Sequence, residues 1–148
     1  MGSGSMRPPK HSYYMDIVKK KKIGLSPINI DCDSIEDAIK VAKRILSLGL
    51  EAEWRFSSSG KGIHFRIVKN GKPVYAETLK SLEIRAELGD DPHRIFWDLI
   101  RYYNDFGIIG RLFDTKNGKR AGEWKKLDES AISFFEKLVV DVADRDHE

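Results

Sequence analysis

The chain has 148 residues, a third of them charged, yet 26 basic and 23 acidic side chains leave a formal net charge of only +3. That length allows one domain with a real core, and the mild basic bias permits an anionic partner without demanding one. The single cysteine, Cys32, excludes an intrachain disulfide framework or a thiolate metal site, and no run reads as a membrane span or signal peptide, so a cytoplasmic location is expected.

Residues 1–6 read as a cloning remnant ending at a native start, Met6. Residues 7–27, with prolines, aromatics and the run Lys19-Lys20-Lys21-Lys22, predict a basic arm or irregular lead-in. Its charges are either solvated or set against a phosphate backbone. A single domain is expected over 28–148. It opens with a strand at 28–33, followed by a helix to about residue 48 with Ser34 as N-cap and Gly49 beyond its end. From Glu51 the apolar period changes to two. Ala52, Trp54 and Phe56 share one side of a strand, and Ile63, Phe65 and Ile67 share one side of the next, across the turn Ser57-Ser58-Ser59-Gly60-Lys61-Gly62.

Leu82, Ile84, Ala86 and Leu88 alternate with Glu83, Arg85 and Glu87, which predicts another strand over 81–88. Pro92 opens a helix with Ile95, Phe96, Leu99, Ile100 and Tyr103 on one face; Asp90 and Asp91 read as its caps and Asp98 as an intrahelical partner of Arg94. Ile108–Asp114 reads as a strand, Asn117-Gly118 as a turn, and 128–144 as an amphipathic helix covering the core. The order predicts an α+β fold: a split βαβ core of ferredoxin or RNA-recognition type, with a mostly antiparallel sheet and helices on one face.

If the apolar residues of each strand face the helices, the opposite, open face collects Asp31, Asp33, Glu53, Arg55, His64, Arg66, Glu83, Arg85 and Glu87. Crowded carboxylates repel unless cations offset them, and paired acids on a strand suit a hard divalent cation shared with phosphates. The serine and glycine turn before His64 offers backbone N–H groups to phosphate oxygens, with Lys61 as a point charge.

Asp31-x-Asp33 ending a strand, followed by a helix and then by Ser58-Ser59-Gly60-Lys61-Gly62-Ile63-His64-Phe65, resembles the first two motifs of the archaeo-eukaryotic primase superfamily. The likeness covers about residues 28–68. It implies a modified RNA-recognition fold and a metal-dependent nucleotidyltransferase of the DNA primase-polymerase type, with Mg2+ or Mn2+ in a two-metal site. It further implies that Asp31 and Asp33 bind metal and that Ser58, Ser59, Lys61 and His64, with Arg66 and Arg85, contact the nucleotide. Family members with a Ser-x-His form carry serine two before the histidine, where this chain has Gly62.

The third acid has two candidates, Glu83 in Leu82-Glu83-Ile84-Arg85 and Asp114 in Leu112-Phe113-Asp114, and face parity prefers Glu83. The resemblance implies nucleoside triphosphates, a DNA template and primer, and a helicase or second primase subunit as partners, and no membrane. The alternative is an RNA-recognition-like module, or a degenerate domain that binds nucleotide or nucleic acid without chemistry. Against the module, Trp54, Phe56 and Phe65 alternate away from the open face, where such modules carry stacking aromatics.

Overall fold

A computed structural model describes residues 9–146; the remnant expected at 1–6 lies outside them. Pro9–Lys22 forms helix α1 where an irregular lead-in was expected. Proline is tolerated in a first helical turn, and the four lysines of the last turn complement the helix dipole, so the charge run ends a helix. Buried Ile17 anchors it. The chain then enters β1 (Leu25–Pro27), which pairs antiparallel with β6 (Tyr75–Glu77) as a separate ribbon.

The main sheet contains β2 (Asn29–Cys32), β3 (Glu51–Phe56) and β4 (Ile63–Lys69), in the order β2-β4-β3. A two-residue β5 (Lys72–Pro73) folds back on β4, and β9 (Lys125–Lys126) extends the sheet beyond β3. Both β2 and β3 are antiparallel to β4 between them, hence parallel to each other. Helix α2 (Ile35–Ser47) links them, giving the expected split βαβ unit and α+β class. Ser34 caps α2 as expected, its hydroxyl accepting from the Asp37 amide at 3.1 Å.

The apolar face of this sheet carries Ile30, Cys32, Ala52, Trp54, Ile63, Phe65 and Ile67. It packs against Ala38, Val41, Ala42 and Ile45 of α2 and against Ala131, Ile132 and Phe135 of α5 (Glu129–Asp146). Trp54 meets Phe135 edge-to-face at 4.8 Å, which fixes α5 across the sheet.

Thr78–Leu88 is helix α3, so the strand expected over 81–88 does not form. Its buried side chains are Thr78, Ser81, Leu82, Arg85 and Leu88, a helical spacing whose centre is an arginine. Because the inward stripe includes a charged residue, Arg85, hydropathy alone breaks it and leaves an apparent alternation. Glu77 caps the start through the Leu79 and Lys80 amides, and Gly89 ends α3 in the left-handed conformation at φ 102°.

Helix α4 (Pro92–Tyr103) is N-capped by Asp91, as expected, but Asp90 is committed elsewhere. Ile108–Asp114 forms no strand; it crosses the polar side of the sheet irregularly, with Gly107 and Gly110 at φ 76° and 79° interrupting any ladder. A hairpin of β7 (Thr115–Lys116) and β8 (Lys119–Arg120) turns at Asn117-Gly118 as read from the sequence. None of the described helices is long and apolar enough to cross a membrane.

Candidate functional site

Because side chains alternate along a strand, the face turned away from α2 and α5 receives Asn29 and Asp31 from β2, Glu53 and Arg55 from β3, and His64 and Arg66 from β4. The register sets Asp31 opposite His64, Arg55 opposite His64, and Glu53 opposite Arg66. This is the charged face expected from the strand periods, except that Glu83, Arg85 and Glu87 belong to α3.

The face is not open. Trp124 lies over the guanidinium groups of Arg55 and Arg66, 4.4 and 4.2 Å from its ring centre, and Tyr13 of α1 donates to Asn29 Oδ1 at 3.0 Å. Under this roof Arg55 and His64 are each only 5% exposed.

Arg55 satisfies its charge in three directions. Its Nε donates to His64 Nδ1 at 3.0 Å, its Nη1 to Asp114 Oδ1 at 2.7 Å, and its Nη2 to the Phe113 carbonyl at 3.3 Å. An arginine has no acceptor, so His64 Nδ1 carries the lone pair and Nε2 carries the hydrogen. Nε2 lies 3.6 Å from Asp31 Oδ1. Burial, then the positive charges of Arg55 and Arg94, push the His64 pKa down to about 3. The imidazole is therefore neutral at pH 7, and Nε2–H is a fixed donor.

Asp31 shows the opposite tension. Burial raises its pKa, Arg94 opposes the rise, and Asp33, Asp90 and Asp91 add to it, so a cation would be favoured here. Its backbone is held firmly. The Asp31 amide donates to Asp90 Oδ1 at 3.0 Å, and Arg94 Nη1 donates to the Asn29 carbonyl at 3.2 Å. These two side chains cap the edge of β2 that no strand covers. Asp90 also accepts from Arg85 and Arg94, at 2.8 and 2.6 Å. Asp98 accepts from Arg85, Arg101 and the Gly110 amide, and so is not the partner of Arg94 that helical spacing suggested.

Asp31 and Asp33 open onto a cleft of about 470 Å³, lined also by Ser57, Ser58, Ser59, Gly62, His64, Arg94, Arg101, Arg111 and Lys116. The serine turn differs from expectation in one respect. The amides of Gly60, Lys61 and Gly62 are taken internally, by the Ser57 carbonyl and by the Ser59 and Ser57 hydroxyls. What the turn presents to the cleft is therefore its serine side chains, and Lys61 is not part of the lining.

Of the other residues nominated from sequence, Glu83 is on the exposed side of α3 beside Lys80, outside the lining. Arg85 is fully buried between Asp90 and Asp98, and Arg66 is held by Glu53 at 2.7 Å. Asp114 is engaged by Arg55. Among the described residues, no group of three or more His, Cys, Asp or Glu side chains is brought together to hold a metal ion.

The residues that sequence reasoning missed are the basic ones: Arg94, Arg101, Arg111 and Lys116. A signal did exist for two of them. Arg94, Asp98 and Arg101 lie on one stripe of α4, at i, i+4 and i+7, opposite Phe96 and Tyr103. The apolar stripe of α4 was the conspicuous one, yet Phe96 and Tyr103 are exposed and Asp98 is the buried residue of the helix. Compared with known proteins, the chain matches no family model, and no solved structure matches it significantly.

Proposed function

We propose that the cleft takes a nucleoside triphosphate together with a divalent cation, and that the chain is a nucleotidyltransferase of the DNA primase-polymerase type. The supporting observation is the convergence of Asp31, Asp33, the Ser57–Ser59 hydroxyls and the His64 Nε2–H donor in one cleft edged by Arg94, Arg101, Arg111 and Lys116. Its volume lies in the range that holds small ligands, roughly 300–1,000 Å³.

The donor set fits a cation completed by substrate. Magnesium usually takes one or two carboxylates, several waters and phosphate oxygens, and Asp31 and Asp33 supply the carboxylates. It does not fit two metals on three carboxylates, since Glu83 lies outside the cleft and Asp114 is paired with Arg55. When bound, the cation would neutralise the triphosphate and lower the pKa of an attacking 3′-hydroxyl. The chain's own work is positional. His64 would donate from Nε2 to a phosphate oxygen, Ser58 and one of the mutually bonded Ser57 and Ser59 hydroxyls would donate from the turn, and Arg94 and Arg101, already held by Asp90 and Asp98, would present planar forks of donors. A DNA template and primer would be the acidic partner, met by Arg111 and Lys116 of the cleft lining; a helicase or second subunit is the protein partner on the same reading.

Asp31→Ala with Asp33→Ala should abolish Mn2+-dependent binding of a deoxynucleoside triphosphate in calorimetry and nucleotide incorporation on a primed template. Undiminished incorporation by the double variant sinks the assignment. One observation favours a second reading, a domain that binds nucleotide and no longer reacts: no third carboxylate joins the pair among the described residues. Metal-dependent binding without incorporation by the unaltered chain would select it.

A further inference from the structure

The three bonds of Arg55 tie together a carboxylate, a guanidinium and an imidazole from three parts of the chain. We propose that Asp114 and Arg55 are positioning residues for His64, a relay that locks the imidazole as an Nε2–H donor aimed into the cleft. Asp114 thereby acts through Arg55 and not as a ligand of the cation. The purpose of the relay rests on the nucleotide reading of the cleft; its geometry does not.

Three observations carry it. Arg55 is the Nδ1 partner of His64, at 3.0 Å, and a permanent donor there leaves the ring only one neutral tautomer. Arg55 cannot swing away, because Asp114 Oδ1 at 2.7 Å and the Phe113 carbonyl at 3.3 Å hold the other end of its planar group, and Trp124 covers its face at 4.4 Å. Finally, Nε2 points to the Asp31 side of the ring, 3.6 Å from Oδ1, and His64 is part of the cleft lining. An imidazole of free tautomer would present a lone pair to an anion for part of the time. The relay removes that state, as an orienting group does for a histidine in a metal or acyl-transfer site.

The test is a two-bond proton–nitrogen correlation spectrum of the 15N-labelled full chain at neutral pH, with the His64 signals assigned by their loss in His64→Gln. The unaltered chain should show Nε2 protonated and Nδ1 bare. Arg55→Met, which keeps the apolar stem and removes every donor, should show both tautomers. Asp114→Ala should move the pattern in the same direction while leaving Mn2+ affinity, measured without nucleotide, unchanged. Inorganic tripolyphosphate with Mn2+ should bind Arg55→Met about twofold to tenfold more weakly, the cost of a donor tautomer that is only partly populated.

A wild-type His64 protonated on Nδ1, a wild-type pattern in Arg55→Met, or loss of metal binding in Asp114→Ala would each overturn the relay. If Arg55→Met does not fold, the wild-type tautomer and the half-buried Asp114→Ala variant still decide it. Failure of the unaltered chain to bind tripolyphosphate would count against the nucleotide reading alone, because the tautomer spectrum judges the relay without any ligand.

Discussion

Two residues before His64 the chain has Gly62, and the structure gives the reason a glycine stands there. A Cβ at this position would collide with the Cys32 carbonyl oxygen, since the turn closes directly on the end of β2. Ser57 Oγ accepts from the Gly62 amide at 3.2 Å, and Ser57 lines the cleft. Gly62→Ala should therefore destabilise the fold by about 1–3 kcal/mol, the usual cost of overpacking, as measured by urea denaturation. At the same scale, His64 makes stability depend on acid. Its pKa falls from 6.5 to about 3 on folding, through burial first and then Arg55 and Arg94. Between those values the unfolded chain binds a proton that the folded chain refuses, so stability is present above pH 6.5 and is lost as pH falls toward 3. Thermal melts of the wild type and His64→Gln from pH 7 to pH 4 should diverge in that direction, with the wild type losing more.

Among the elements, α3 is where pattern reading failed and where the energetics are most exposed to mutation. Its buried arginine is fully enclosed and faces Asp90 and Asp98, both at 2.8 Å. Arg85→Met takes a charged hydrogen bond from each of two buried carboxylates, leaving Asp90 to Arg94 and Asp98 to Arg101, and should cost about 3–5 kcal/mol in denaturant unfolding. Glu83, the third acid that face parity prefers, lies on the solvent side of the same helix. Glu83→Ala should change stability by no more than about 0.5 kcal/mol and leave metal binding untouched. The strands and α2 were legible because their periods hold without interruption: Ala52, Trp54 and Phe56, then Ile63, Phe65 and Ile67. In α3 and α4 the inward stripe includes charged residues whose partners lie on other elements, and hydropathy counts such residues as outward. The same substitution of polar for apolar hid the basic half of the cleft.

For the whole molecule, the departure from an open RNA-recognition sheet has two parts. The edge of β2 is closed by Asp90 and Arg94 side chains in place of a strand, while the sheet grows at its other edge through β9. The polar face is then roofed by Tyr13 and the 111–124 segment, which converts a flat surface into a cleft. One aromatic cluster holds the opposite side together, with Phe135 between Trp54 at 4.8 Å and Phe65 at 6.5 Å. Phe135→Ala should cost about 3–5 kcal/mol, read from the shift in the denaturation midpoint at constant slope.

The sequence by itself determined which residues share a face of the central sheet, because alternation along a strand is a local property of the backbone: Asp31, Glu53, Arg55, His64 and Arg66 are together for that reason. Only the tertiary structure decided what those residues meet. Whether the face is roofed, which carboxylate Arg55 takes, and how Arg94, Arg101, Arg111 and Lys116 arrive at the cleft depend on contacts between segments far apart in the chain, and no local period records them.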